Sequence, residues 1–292
     1  MAEHLGLTVL VTGACGRQGG AVLRKLLDRG YRARGLTRDA GSADAEELRR
    51  LGAEVRAGSF DDGEALRRAM RGADAAFLMS TPSEAGAAAE LRQACALIDA
   101  AKDESVPHVV LSSIVGANRA SGVPSFESKR RIEAYLGASS VPFTVVRPSY
   151  FMDNALGPEP RLSVRGGVFE LPLSPSMRLP QLALSDFATF VVRVMEHRRA
   201  FLGRFVDLAS DEVTGPEMAR AISLAAGRRV EFRQAKDGRS AGLGEEYATL
   251  LRRLDETGPF VDVAALRRDF PEIGWHSVEE WAWEQDWPLE GA

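Results

Sequence analysis

The fold of this chain is decided by the stretch Val9-Leu10-Val11-Thr12-Gly13-Ala14-Cys15-Gly16-Arg17-Gln18-Gly19-Gly20. A short apolar run leads into three glycines spaced G-x-x-G-x-x-G, and a helical pattern follows them directly. In such a turn Gly13 permits a tight bend, Gly16 lets the backbone approach a pyrophosphate, and Gly19 allows close packing of helix against strand. The free N–H groups at the start of the helix attract phosphate. The stretch therefore predicts a dinucleotide-binding turn.

Strand-like and helix-like patterns alternate through the first half of the chain. The strand candidates are Leu7–Val11, Tyr31–Thr37, Ala53–Ala57, Ala73–Met79, Val109–Leu111 and Phe143–Val146. The helical candidates are Gln18–Arg29, Ala43–Leu51, Asp62–Met70, Ala87–Ala101 and Ser128–Leu136. Strands that alternate with helices form right-handed parallel crossovers. We predict an α/β fold with a doubly wound parallel Rossmann sheet, whose ligand site lies beyond the carboxyl ends of the strands.

The alternation breaks after Arg147. The stretch 157–180 is rich in proline and glycine, and we place loops there. Helical patterns return at Ser185–His197 and Gly215–Ala226, with a strand candidate at Phe205–Leu208 between them. We predict a Rossmann domain over residues 1–150 and a smaller α+β lobe over 151–292, with some of its elements interleaved with the first sheet.

All four tryptophans fall near the carboxyl end, and we place them in the last helical segment: Trp275, Trp281, Trp283 and Trp287. Packing of that helix explains them most simply. The alternative is a partner surface or the wall of a pocket.

Composition excludes several classes of protein. A net charge of -4 lacks the concentrated basic face that nucleic acid requires, and the run Lys129-Arg130-Arg131 is typical of a solvated helix face. Two cysteines indicate no disulfide framework, and the histidines have no ligand spacing, so we expect no metal. The polar start of the chain and the absence of a long apolar run predict a cytoplasmic protein without a membrane span.

The end of the second strand indicates which dinucleotide binds. NAD-selective sites place a carboxylate there, whereas this chain has Leu36-Thr37-Arg38. A guanidinium suits the 2′-phosphate of NADP(H), and Arg17 in the glycine turn could approach the same group. The alternative is that Arg38 is a surface residue of a turn, and the adjacent Asp39 could oppose a phosphate.

The same residues belong to a wider resemblance that runs almost from end to end. The matching stretches are T-G-A-C-G-R-Q-G-G, L-T-R-D, A-D-A-A-F-L-M-S, V-V-L-S-S, F-E-S-K-R-R-I-E-A-Y-L and R-P-S-Y-F-M-D-N, with S-D-F-A and the helix start Thr214-Gly215-Pro216-Glu217 as weaker matches. Together they resemble the NmrA-like family of atypical short-chain dehydrogenases/reductases. That resemblance implies a Rossmann domain, a small carboxyl-terminal lobe, and a cleft between them for a small-molecule substrate.

The resemblance also implies roles for individual residues. The pyrophosphate would be held by Gly13, Gly16, Arg17, Gln18 and Gly19, and the 2′-phosphate by Arg38. The nicotinamide side would be lined by Thr81, Pro82, Ser112 and Ser113, with Lys129 on its ribose. The substrate cleft would be bordered by Pro148, Tyr150, Phe151 and Asn154. The catalytic candidates are Lys129, Ser113 and Tyr150.

Several positions depart from the family pattern. Short-chain reductases use Tyr-x-x-x-Lys, in which the ammonium lowers the pKa of the tyrosine, but here Ser125 stands four residues before Lys129. Relatives often have Gly-Asp at the end of the third strand to bind adenine, where this chain has Gly58-Ser59. Asp61 and Asp62 are the two candidates to replace that aspartate. We interpret Cys15 as a small space-filling residue.

Two functions lead at this point, and isomerase or lyase chemistry on the same scaffold is a third alternative. The first is an NADPH-dependent reductase of a conjugated acceptor such as a quinone or enone, with Lys129, Tyr150 or a water donating the proton and Ser113 bonding the acceptor oxygen. The second is a non-catalytic NADP(H) sensor that acts through a protein partner, which the missing tyrosine favours. A homodimer is compatible with either, and fold alone does not decide between them.

Overall fold

The computed structural model describes residues 6–83, 85–235, 249 and 261–287. The chain divides into two compact units, and neither is continuous in sequence. The first unit comprises Met1–Arg147 and Phe187–Val206, and the second comprises Pro148–Asp186 and Asp207–Ala292. In the part of the chain that is described, no helix has both the length and the apolar character that a membrane span requires.

A seven-stranded sheet organises the first unit. Its strands are β1 (Thr8–Val11), β2 (Arg32–Thr37), β3 (Glu54–Ala57), β4 (Ala75–Leu78), β5 (Val109–Ser112), β6 (Phe143–Pro148) and β10 (Phe205–Leu208). The strand order is β10-β6-β5-β4-β1-β2-β3, and the neighbours from β6 to β3 all pair in parallel. The order reverses after β3, and this reversal is the doubly wound topology that the alternating pattern predicts.

Helices follow the strands as crossovers: α1 (Arg17–Asp28), α2 (Ala43–Arg50), α3 (Gly63–Met70), α4 (Gly86–Asp103) and α5 (Pro124–Ala138), with α7 (Leu184–Glu196) and α8 (Arg198–Phe201) from the later part of the chain. Strands β4 and β5 are buried at every position, as expected when helices cover both faces of a parallel sheet. Phe77 of β4 packs edge to face on Phe187 of α7, with ring centroids 6.0 Å apart. The later segment is therefore part of this core.

Polar side chains cap two of the crossover helices. Ser42 caps α2 by accepting a hydrogen bond from the N–H of Ala45, and Asp62 caps α3 through the N–H groups of Glu64 and Ala65. Helices α1, α4 and α5 have no side-chain cap, and Gly16 occupies the N-cap of α1. The first N–H groups of α1 thus lack an internal side-chain acceptor, at the carboxyl end of β1.

The second unit contains two small sheets. Its strands are β7 (Tyr150–Phe151), β8 (Val168–Leu171), β9 (Arg178–Leu182), β11 (Asp211–Thr214) and β12 (Glu231–Gln234). Its helices are α6 (Pro158–Arg165), α9 (Gly215–Ala225), α10 (Val263–Asp269) and α11 (Val278–Trp283), with 3₁₀ turns at Met152–Leu156 and Pro271–Ile273. The sheet orders are β11-β9-β7 and β12-β8. This mixture is the α+β lobe expected from the sequence.

The prediction of loops over 157–180 is wrong, because α6, β8 and β9 lie there. Pro158 stands in the first turn of α6, where a missing N–H costs nothing, so the proline starts the helix rather than breaking it. In β8 the burial alternates, with Phe169 and Leu171 inside. Pro180 lies in β9, the middle strand of its sheet, where proline is unfavourable and misleads a sequence reading.

The placement of all four tryptophans in one helix is also wrong. Trp281 and Trp283 lie in α11, whereas Trp275 precedes it and Trp287 follows it. Trp275, Trp281 and Trp287 are buried, and Trp281 packs edge to face on Trp287 at 5.8 Å between ring centroids. Trp283 alone of the four is exposed, at 65%. Three of the four therefore serve packing within the second unit.

Candidate functional site

The glycine turn after β1 is built by close backbone contacts. Gly13 has φ +63°, in the left-handed region that glycine adopts at no steric cost, and its carbonyl accepts a hydrogen bond from the N–H of Gly16 at 2.9 Å. A Cβ on Gly19 would stand only 2.3 Å from that same carbonyl oxygen. The turn therefore presents bare backbone and the uncapped start of α1, an arrangement that attracts anions.

A cleft of about 430 Å³ opens over this turn in the first unit. Its lining comes from the glycine turn and from the segments that follow β2, β3 and β4: Gly13, Ala14, Cys15, Gly16, Arg17, Gln18, Gly19, Leu36, Thr37, Arg38, Gly58, Ser59, Phe60, Asp61, Met79, Thr81, Ala85 and Gln93. Seven residues assigned to the cofactor from sequence stand among them: Gly13, Gly16, Arg17, Gln18, Gly19, Arg38 and Thr81. Cys15 is a free, partly buried thiol in the same wall.

Arg38 and Asp39 have different surroundings at the end of β2. Arg38 lines the cleft, whereas Asp39 does not. The Asp39 carboxylate accepts a hydrogen bond from the N–H of Gly41 at 2.8 Å. Of these two charged residues that follow β2, Arg38 is therefore the one that lines the cleft.

The two aspartates after β3, Asp61 and Asp62, also have different surroundings. Asp62 is the N-cap of α3 and is committed to that helix. Asp61 lines the cleft and accepts hydrogen bonds from Gln93 Nε2 at 2.9 Å and from Arg92 at 3.2 Å. The amide of Gln93 and the guanidinium of Arg92 lower the pKa of Asp61, so it is ionised at neutral pH. Of the two candidates for the missing Gly-Asp contact, only Asp61 faces the cleft.

Three further candidates for the nicotinamide side are outside the set of residues that line the cleft. Ser112 ends β5 and Ser113 follows it, and both are buried. Ser113 donates its N–H to the carbonyl of Val146 at 2.8 Å, but its hydroxyl has no hydrogen-bond partner among the described residues. Pro82 follows Thr81, outside the set of lining residues.

Lys129 does not lie on a solvated helix face, contrary to the expectation for the basic run. Its side chain is 11% exposed, and its ammonium contacts the carboxylate of Glu90 at 2.8 Å. It also donates to the carbonyl of Ser80 at 2.8 Å, next to the cleft residue Thr81. Ser125 stands one helical turn earlier in α5. The lysine of Tyr-x-x-x-Lys is thus kept here, but its charge is balanced by a buried acid.

The substrate candidates lie in the second unit. Pro148 ends β6, Tyr150 and Phe151 form β7, and Asn154 lies in the 3₁₀ turn after it. Tyr150 is 3% exposed within the apolar core of that unit. The first-unit residues near the cleft and these second-unit residues are therefore held by different cores.

Sequence reasoning missed five residues around this site. Phe60, Met79, Ala85 and Gln93 line the cleft, and Glu90 binds Lys129. Glu90 and Gln93 are three residues apart in α4, so they share a face of the helix that follows β4. The three-residue spacing of Glu90 and Gln93 was the sequence signal that could have identified them. Among the described residues, no three histidine, cysteine or acidic side chains are grouped as metal ligands.

Comparisons with known proteins agree with this architecture. The model of the NmrA-like family matches residues 7–254. An NAD(P)H azoreductase from Xenophilus azovorans is 28% identical over 271 residues, which cover 91% of this chain and 92% of that protein.

Solved structures show the same fold. The negative transcriptional regulator NmrA, in complex with NADP, has a TM-score of 0.79 at 21% identity, covering 96% of this chain and 95% of its own. An NADPH-dependent quinone oxidoreductase from Escherichia coli, complexed with NADPH, has a TM-score of 0.76 at 23% identity, covering 94% and 98%.

Proposed function

Because the chain belongs to the NmrA-like family, we propose that it is an NADPH-dependent oxidoreductase that transfers a hydride to a small conjugated acceptor such as a quinone or an enone. The observation that carries this proposal is the cleft in which the uncapped start of α1 faces the same space as Arg17 and Arg38. Two guanidinium groups beside a helix N-terminus suit a ligand with several phosphates.

The chemistry of the cleft fits NADP(H). A side chain at Gly13 or Gly19 would clash with neighbouring atoms, so the turn has only backbone there. Its backbone N–H groups are therefore available to a pyrophosphate. The Oε1 atom of Gln18 is buried without a hydrogen-bond partner among the described residues, as expected of a group that a ligand satisfies. No carboxylate of β2 lines the cleft to accept a ribose 2′-hydroxyl, so Arg38 favours the 2′-phosphate of NADP(H) over NAD(H).

We assign the binding roles accordingly. Gly13, Gly16, Arg17, Gln18 and Gly19 would hold the pyrophosphate, and Arg38 the 2′-phosphate. Thr81, Pro82, Ser112, Lys129 and Pro148 would serve the nicotinamide side. Asp61 would take the place of the aspartate that relatives use for adenine. Phe151 and Asn154 would border the substrate.

Bound NADPH supplies a hydride, and the protein's task is to orient the acceptor and to assist its protonation. The unpartnered hydroxyl of Ser113 would hydrogen-bond the acceptor oxygen, where negative charge develops. Ser125 is too weak an acid to replace the absent tyrosine. A conjugated acceptor spreads the developing charge and needs less acid assistance than a simple ketone, so water, Lys129 or Tyr150 suffices as proton source.

The relatives support this class of acceptor. One is named an azoreductase and a structural neighbour is a quinone oxidoreductase, and both names denote reduction of conjugated systems. The second candidate function is a non-catalytic NADP(H) sensor with a protein partner. Ser125 at the tyrosine position and the neutralised Lys129 favour it, and the neighbour NmrA is a transcriptional regulator that binds NADP.

Turnover measurements separate the two functions. NADPH consumption is followed by its near-ultraviolet absorbance against quinones, enones and azo dyes, with saturated aldehydes as the non-conjugated control. We expect turnover with at least one conjugated class, and its loss in the variant with Arg17→Gln and Arg38→Gln. Tight NADPH binding by calorimetry without turnover across the panel would support the sensor, and no binding at all would refute both functions.

A further inference from the structure

A buried acid is hydrogen-bonded to Ser80, which stands between the cleft residues Met79 and Thr81, and it has none of the roles assigned so far. Glu90 of α4 is 1% exposed, and an isolated carboxylate in such a place is strongly unfavourable. Its Oε1 accepts from the Lys129 ammonium at 2.8 Å and from the Ser80 hydroxyl at 3.2 Å. Its Oε2 is hydrogen-bonded by the hydroxyl of Ser128. Both carboxylate oxygens therefore have hydrogen-bond partners, which come from α5 and from the segment that follows β4.

The same contacts fix the lysine. An ammonium group has three N–H donors on a long, flexible stem, and ordering that stem costs conformational entropy. Two donors of Lys129 go to Glu90 and to the carbonyl of Ser80. Its remaining contact is a long one, 3.4 Å to the Ser80 hydroxyl. One donor is thus available for a better acceptor beside Ser80 and Thr81, where the chain passes the cleft.

Stability alone does not explain the pair. Buried ion pairs contribute little net stability, because the cost of desolvating two charges offsets their attraction. What such a pair provides is a defined position for the ammonium and cancellation of its charge. A lysine paired in this way acts as a hydrogen-bond donor and adds no net positive charge to its surroundings.

We propose that Glu90 is a positioning residue, which holds the Lys129 ammonium beside Ser80 so that its remaining N–H binds the nicotinamide ribose of the cofactor. This inference rests on the proposed function, which places NADP(H) in the cleft and Lys129 on its nicotinamide side. Among the described residues, the polar partners of the Glu90 carboxylate are Lys129, Ser80 and Ser128, so we expect its influence on the cofactor to pass through the lysine.

The proposal is tested with a cofactor fragment. Adenosine 2′,5′-bisphosphate has the adenine and the 2′-phosphate of NADPH but lacks the nicotinamide ribose. In Glu90→Gln we expect the Kd of NADPH to rise about tenfold, the loss of roughly one good hydrogen bond, while the Kd of the bisphosphate stays within twofold. Lys129→Met should show the same selectivity, and the double variant should be no weaker than Lys129→Met alone.

A matched control distinguishes loss of the position of Lys129 from a general loss of stability. Glu133 is a second buried carboxylate, on α5, where it forms a two-pronged ion pair with Arg147 at 2.8 and 2.6 Å. Glu133→Gln should lower the thermal midpoint of unfolding without a selective loss of NADPH over the bisphosphate. If Glu90→Gln does not fold, Ser128→Ala removes one support of Glu90 and should still weaken NADPH selectively, by about threefold.

Equal weakening of NADPH and the bisphosphate, or an unchanged Kd for both, would overturn the role of Glu90. Additive losses in the double variant would also do so, since Glu90 would then act independently of Lys129. Failure of the proposed function looks different. A non-catalytic sensor would show the same pattern of Kd values but no turnover, and a protein without an NADP(H) site would bind neither ligand in its unmodified form.

Discussion

The sulfur of Met79 occupies the space in which a side chain on Gly13 would begin. A Cβ built on Gly13 lies 2.4 Å from Met79 Sδ, and the backbone there has φ +63°. Two costs therefore coincide at one position. A left-handed backbone costs an L-residue about 1–2 kcal/mol, and overpacking adds about 1–3 kcal/mol.

We expect Gly13→Ala to reduce the free energy of unfolding by both amounts and to weaken NADPH binding, since the turn must shift. Urea denaturation and calorimetry measure the two effects. Gly72→Ala is the control, because Gly72 has φ +69° but nothing within 4 Å of its would-be Cβ, so it incurs only the backbone cost. Equal losses in the two variants would show that contact with Met79 is unimportant, and Met79→Ala in the Gly13→Ala background should recover part of the loss.

Arg38 is expected to choose between the two nicotinamide cofactors. Replacing it in Arg38→Gln should raise the Kd of NADPH about 10- to 100-fold, the cost of a lost charge-assisted contact. NADH lacks the 2′-phosphate, so its Kd should change less than threefold. Arg50→Gln, at an exposed position on α2, removes the same charge and controls for long-range attraction. A parallel loss for both cofactors would remove Arg38 from the 2′-phosphate site.

Asp61 is expected to recognise the adenine amino group. Its ionised carboxylate can accept a hydrogen bond from an amino group but repels the oxygen that replaces this group in the deamino analogue of NADPH. The unmodified protein should therefore prefer NADPH, and Asp61→Asn should reduce or reverse that preference because an amide can also donate. Asp62→Asn keeps a good helix cap and should leave the ratio of the two Kd values unchanged. An unaltered ratio in Asp61→Asn would place adenine elsewhere.

His108 is expected to destabilise the first unit in acid. Burial and the nearby charge of Arg198 lower the pKa of His108 to about 4, and the ring bonds the hydroxyl of Thr144 at 2.9 Å. Between pH 6.5 and 4 the unfolded chain binds a proton that the folded state excludes, so stability falls as the pH decreases, by on the order of 3 kcal/mol at pH 4. Urea denaturation should show less acid loss in His108→Gln, and His197→Gln, at an exposed position, should behave like the parent.

His276 is expected to show the opposite pH dependence in the second unit. Burial opposes its protonation, but the hydrogen bond and charge of Asp186, with help from Glu284, outweigh it and raise the pKa of His276. Its contribution is complete below about pH 6.5 and is lost as the pH rises through the elevated value. Tryptophan fluorescence reports this unit alone, since all four tryptophans belong to it. The difference in midpoint between the parent and His276→Gln should shrink from pH 6 to pH 8; a constant difference would contradict the assignment.

The first half of the fold follows from the sequence because its signals are local. Apolar runs, helical periods and a glycine turn each span a few residues. Strands that follow one another in the chain are neighbours in the sheet, except that β4 pairs on the other side of β1 from β2 and β3. The second unit lacks this property. Strand β8 pairs with β12, where Val168 meets Glu231, and no local pattern indicates such a distant partner.

The candidate site divides in the same way. The glycine turn and Arg38 can be recognised from sequence because each belongs to a short motif of consecutive residues. Glu90 lies in an alanine-rich helix where a lone acid is normally solvated, and its partner Lys129 is on another helix. Only tertiary packing brings the two together, so their pairing is invisible until the fold is known.

Because Phe187–Val206 returns to the first unit, no single cut of the chain yields two complete halves. A chain ended at Arg147 would keep Phe77 without its aromatic partner Phe187 and would leave β6 as an uncovered edge strand. The same interleaving constrains how such proteins can diverge. Genetic recombination between relatives can transfer the second unit intact only if crossovers coincide at the junctions after Arg147, Asp186 and Val206. The second unit is therefore expected to diverge through substitutions within it rather than by exchange as one block.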